Sequence, residues 1–238
     1  MSIAPADLPR EAKCIPPIPV PTHGPGGVFT VACTTDIAGP AIKVLEKVLD
    51  LPHYGSWNTF VPRASVISTP PSGGSNENEN TRDEALAPEV RELVARPGFA
   101  ARGAKIRFEV VMRPGSSSSR AVELEVTFLE AFSITVPTST TSTTAAPAPA
   151  TGEDGQEGSR KGYRIAWKAT GMRHFLLHSE RVQEFVETVA EDGSVVTRYT
   201  TWETFGGVLG YVLPRTQIEG GFARWTAGLK KVVEEGDK

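Results

Sequence analysis

The run from Ser194 to Val232 constrains the fold more than any other part of the chain. Alternating residues from Ser194 to Phe205 end in Gly206-Gly207 and pass straight into a long amphipathic segment. There Ile218, Phe222, Trp225, Leu229 and Val232 recur at steps of four, three, four and three, while Arg224, Lys230, Lys231, Glu234 and Glu235 take the remaining surface. That is a helix with one apolar stripe. A last strand feeding one long terminal helix, with Tyr199, Trp202, Glu203 and Phe205 just ahead of the double glycine, predicts a curved antiparallel sheet gripping that helix around a cavity. Pro214 is expected to kink or restart the helix after a first turn through Leu209, Tyr211 and Val212.

The upstream pattern supplies the rest of such a sheet. Val28–Asp36 reads as a first strand, and Gly39-Pro40 opens a helix with Ile42, Leu45, Val48 and Leu49 on one side. Pro52 ends it, a second short helix or turn follows through Trp57, and Val61–Ser68 makes the next strand. In Gly103–Arg113, Ile106, Phe108, Val110 and Met112 alternate with polar residues, and Val122, Leu124, Val126 and Phe128 repeat the pattern after a turn at Pro114–Ser119. Tyr163–Thr170, Phe175–Val189 and Ser194–Phe205 complete the strands, the last two joined through Asp192-Gly193, a hairpin signal.

Two stretches, at about 70–87 and 137–161, read as disordered insertions, the first because Pro70–Arg82 has no apolar residue to bury and the second because its Thr/Ser/Ala/Pro composition cannot repay the entropy of ordering; a helical turn through Val90 and Leu93 follows the first. The Pro-rich residues 1–27 read as a flexible tail, which leaves 28–236 as a single domain. A net charge of -3 offers no field for nucleic acid or an anionic membrane, so neither partner is expected. No apolar window reaches the ~20 residues of a spanning helix, and the N-terminus lacks a signal pattern, so no integral membrane association and a cytoplasmic location are expected. Cys14 and Cys33 alone cannot build a disulfide framework or a thiolate metal cluster.

Several short motifs fall in the order of a known group: Tyr54-Gly55-Ser56-Trp57-Asn58-Thr59-Phe60-Val61-Pro62, Ser179-Glu180-Arg181, Thr201-Trp202-Glu203-Thr204-Phe205-Gly206-Gly207, and Gly221-Phe222-Ala223-Arg224-Trp225. Together they resemble the SRPBCC group, the START-related helix-grip proteins that include polyketide cyclases and birch-pollen-allergen-like carriers. The resemblance implies an α+β fold: a curved seven-stranded antiparallel sheet wrapped around the C-terminal helix, two short helices after strand 1, and a deep apolar pocket. It implies a hydrophobic small-molecule partner such as a lipid, sterol or polyketide. Some members are cyclases or dehydratases, chemistry that requires no cofactor.

Candidate site residues follow from the hairpin register. A two-residue turn at Asp192-Gly193 places Glu203 opposite Val182 and puts His178, Glu180, Tyr199 and Glu203 on one face. A one-residue bulge instead brings Arg181 beside Glu203. In the first case a desolvated Glu203 suits acid–base work, with Tyr199 or His178 as partner; in the second the pair is structural. Trp57, Phe60, Phe108, Trp167, Arg181, Tyr211, Phe222 and Trp225 are the candidate ligand-binding side chains, with core packing as the alternative for each aromatic. His174 and His178 are four apart, roughly 13 Å on a strand, so no metal site is expected. The third class of function is a protein-interaction module whose two insertions carry recognition.

Overall fold

Alternating apolar side chains assemble into one antiparallel sheet in the computed structural model, which describes residues 2–5, 7–70, 86–136, 158–190 and 192–236. The strands are β1 (Lys13–Ile15), β2 (Phe29–Ala38), β3 (Arg63–Ser68), β4 (Lys105–Val110), β5 (Arg120–Val136), β6 (Gly158–Ala169), β7 (His178–Val189) and β8 (Val195–Gly206), in the spatial order β1-β2-β8-β7-β6-β5-β4-β3. Among the described residues four helices accompany them: α1 (Ala41–Leu49), α2 (Tyr54–Trp57), α3 (Pro88–Val94) and α4 (Arg215–Glu235), with 3-10 turns at Leu51–His53 and Val208–Val212. The chain order and the placement of α4 against the inner face make this the helix-grip arrangement.

The sheet has eight strands where seven are expected. The addition is β1, whose Cys14 pairs with Val31 at the β2 edge. Three residues between a polar run and Pro16-Pro17 are too short for periodicity to reveal. The segment around β1, expected as a free tail, lies across the outer face of the sheet in its described residues. Val20, with Ala4, Leu8, Ile15 and Ile18, packs on Ala32, Ala166, Val182 and Trp202. Glu184 accepts from the Ile3 N–H (2.9 Å), and Glu180 accepts from the Thr22 N–H (2.6 Å) and hydroxyl (2.7 Å).

Helix α1 buries Ala41, Val44, Leu45, Val48 and Leu49, the stripe its spacing demands. Pro214 does not kink a helix; it sits at the N-cap of α4, where its missing N–H costs no ladder bond. The expected first turn is the separate 3-10 turn Val208–Val212. Helix α3, of which only one turn is expected, buries Val90 and Leu93 beside Leu86, so the end of the first insertion belongs to the core. Residues 158–161 extend the β5–β6 ladder, which shortens the second insertion; 71–85 and 137–157 lie outside the described residues.

Candidate functional site

The β7–β8 register decides what the inner face carries. Arg181 stands opposite Glu203, Ser179 opposite Phe205 and Phe185 opposite Tyr199. The two-residue turn does not form. Instead the Ala190 N–H donates to Ser194 (2.9 Å) and the Gly193 N–H to Ala190 (3.0 Å), with Gly193 at φ +82° as the left-handed residue of a longer loop. One extra loop residue exchanges faces. Arg181, Gln183, Tyr199, Thr201 and Glu203 therefore face α4, while His178 and Glu180 point to the outer face. His178 cannot serve as the proton partner of Glu203 in this arrangement.

Across the inner face the polar groups are tied to α4. The Arg181 guanidinium lies 4.2 Å from the ring centroids of both Phe222 and Trp225, and its Nε donates to Thr201 Oγ1 at 3.0 Å. Desolvated stacking of this kind contributes ~2 kcal/mol. Tyr199 donates its hydroxyl proton to Gln183 Oε1 (2.6 Å) and accepts the Trp225 indole N–H (3.0 Å). Burial pushes the Tyr199 phenol up to about 12, against the opposing charge of Arg181. Burial likewise raises Glu203, with Arg181 and a Ser179 hydrogen bond pulling the other way.

Beside this row the aromatic residues pack on one another. Trp57 and Tyr54 each meet Trp225 edge-on at 5.4 Å, Phe108 meets Trp167 at 5.4 Å, and Trp167 lies 6.1 Å from Trp225. Phe60 sits against Gly221 with the Arg224 guanidinium 5.4 Å from its ring centroid. Six of the expected ligand-binding aromatics, Trp57, Phe60, Phe108, Trp167, Phe222 and Trp225, are thus buried neighbours filling the sheet–helix interface. Tyr211 is the exception: it stands exposed on the 3-10 turn, away from that interface.

Four buried donors nearby have no hydrogen-bond partner among the described residues: Arg181 Nη2, Gln183 Nε2, Trp57 Nε1 and Asn58 Nδ2. An unsatisfied buried polar group costs about 1–3 kcal/mol, so a cluster of them calls for an explanation. Three belong to residues gathered about Trp225: Arg181 stacked on it, Gln183 linked through Tyr199, and Trp57 edge-on.

A second cluster escaped the sequence reading. His174 and His178 stack at 3.7 Å because residue 174 lies in a turn rather than on the strand, and His23 joins them at 5.0 and 4.7 Å. The His178 Nδ1–H donates to the His174 carbonyl at 2.7 Å. Burial foremost, then the His178 charge, lowers the His23 pKa. Among the described residues no three His, Cys, Asp or Glu side chains are placed to hold a metal ion.

No family model and no curated protein sequence matches the chain. Among solved structures it is similar to a hypothetical protein from Helicobacter pylori, at 14% identity over 86% of this chain and 87% of that one, with TM-score 0.47. It is similar to a START superfamily protein from Mycobacterium smegmatis, at 13% identity over 87% and 97%, TM-score 0.42. It is also similar to the ginseng major latex-like protein 151 from Panax ginseng, at 8% identity over 87% and 99%, TM-score 0.43. The helix-grip assignment itself rests on the strand order and the position of α4.

Proposed function

We propose that the chain binds a hydrophobic small molecule between the sheet and α4, and that the bound molecule carries a carboxylate or carbonyl oxygen. The observation that supports this reading is the group of unpartnered donors around Trp225. Arg181 Nη2, Gln183 Nε2 and Trp57 Nε1 are buried among aromatic rings, and acceptor atoms on a ligand would satisfy such donors. Entry requires an aromatic to move. Trp57 is the one placed to do so: it ends the four-residue helix α2, whose N-cap makes no side-chain hydrogen bond, and its indole N–H has no bond to break.

The test is a fluorescence titration of the full chain with cis-parinaric acid, a fluorescent polyene fatty acid. The expected result is saturable uptake at one site, weakened about tenfold in Arg181→Met, the loss expected for one hydrogen bond to a charged donor. Gln183→Leu provides the same comparison without removing a charge. Absence of saturable uptake, or equal affinity in well-folded variants, contradicts the reading.

A second reading has its own observation. Glu203 faces inward with a raised pKa, which suits a general acid or base. With Tyr199 on the same face of the same strand, a cyclase or dehydratase could use the same interior.

A further inference from the structure

One end of the molecule carries an exposed apolar patch that the interior site does not use. The turn 170–177 and the 3-10 turn Val208–Val212 are zipped together: the Val208 N–H donates to the Phe175 carbonyl (3.0 Å) and the Leu209 N–H to the Leu176 carbonyl (2.8 Å). Close approach requires Gly207, at φ +83°, because a side chain there would meet the Leu176 backbone at 2.6 Å. From this platform Met172, Phe175, Val208, Leu209, Tyr211 and Val212 project outward, each 36–76% exposed. Clustered exposure of large apolar residues marks an interaction site.

The segments that form the patch carry no acidic side chain of their own, and the nearby Glu180 is held by Thr22 of the adjoining loop. Neither 170–178 nor 206–215 contains an Asp or Glu, and neither does the adjoining loop 21–28, yet the chain as a whole has a net charge of -3. Arg173 and Arg215 are exposed at the edges of the patch, and the exposed His174 of the same turn stacks on His178 and meets His23. A carboxylate-free apolar tip bordered by arginines on an otherwise acidic molecule is complementary to an anionic bilayer. The side chains stand on loop tips, where they can sink among lipid headgroups, and Tyr211 has the amphipathic ring suited to that depth. No helix among the described residues is long and apolar enough to cross a membrane, so the contact is interfacial.

We propose that this end docks onto the surface of an anionic membrane. The proposal stands on the patch alone, whether or not the interior takes a ligand.

The experiment is co-sedimentation of the full chain with phosphatidylcholine vesicles containing phosphatidylserine, and with vesicles of phosphatidylcholine alone. The expected result is partition onto the anionic vesicles, reduced at least about tenfold in Tyr211→Ser/Val212→Ser because two apolar side chains no longer leave water. Arg173→Glu is expected to reduce it at least about fivefold through lost attraction to the lipid charge. Three outcomes overturn the proposal: no partition, partition equal on both vesicles, or partition unchanged in the apolar variant. A concentration-dependent dimer that the apolar variant abolishes overturns it too, making the occupant a second copy of the chain.

Discussion

Glu203 is an acidic residue on the inner face of the sheet, where a carboxylate is less well solvated than in water. Its strand position turns it toward α4, and burial holds its carboxyl above the ordinary value of 4.5 despite Arg181 opposite and the Ser179 hydrogen bond. A carboxyl raised in the folded state adds stability that is fully present below its unfolded pKa and is lost as pH rises through the folded one. The urea unfolding free energy of the wild type, minus that of Glu203→Gln, is therefore expected to be flat below about pH 4.5, to fall as pH rises through the folded-state value, and to level off above it. A difference that is constant with pH, or that rises, contradicts this account of the site. Whether this residue meets Arg181 or Val182 was not legible in the sequence. Asp192-Gly193 is compatible with loops of different length, and a single loop residue decides the face. Given the register, strand alternation would also have named Gln183 and Thr201, which the reading passed over.

Helix α4 and its companions were legible as elements because their periodicity is long and clean. Ile218, Phe222, Trp225, Leu229 and Val232 are all buried, as the stripe requires. What periodicity misses is contact across elements, and the glycines of α4 illustrate it. Gly228 faces the Trp57 backbone carbonyl, whereas a side chain at Gly220 would meet nothing within 4 Å. The two sit in one helix and should respond oppositely to alanine. Gly220→Ala is expected to stabilise the fold by about 0.5–1 kcal/mol through helix propensity. Gly228→Ala is expected to destabilise it by about 1–3 kcal/mol, since a fixed carbonyl cannot make room. Thermal unfolding of the two variants checks this, and stabilisation by both would mean that α2 does not press on α4 as described. The short elements were illegible for a related reason. Strand β1 draws its stability from pairing with β2, and α3 from the apolar faces of Val90 and Leu93.

At the scale of the whole molecule the sheet is covered on both sides, by α4 on the inner face and by the N-terminal segment on the outer. The expected order of strands and the terminal helix were correct because they follow from alternation and a single apolar stripe. Where a cavity is expected, the described residues place packed aromatic rings at the sheet–helix interface. The side chains assigned to line it meet one another, since large aromatics stabilise a fold most by packing together. The proposed function therefore depends on Trp57 yielding its place to a ligand whose oxygen reaches the donors around Trp225.

Nitrogen–proton correlation spectra of the four tryptophan indoles, recorded on adding a long-chain fatty acid, test that claim most directly. The Trp57 signal, with no partner to begin with, is expected to shift furthest and the Tyr199-bonded Trp225 signal next, while Trp202 beneath the N-terminal segment stays in place. Four unmoved indoles, or a shift confined to Trp202, would contradict binding at the sheet–helix interface.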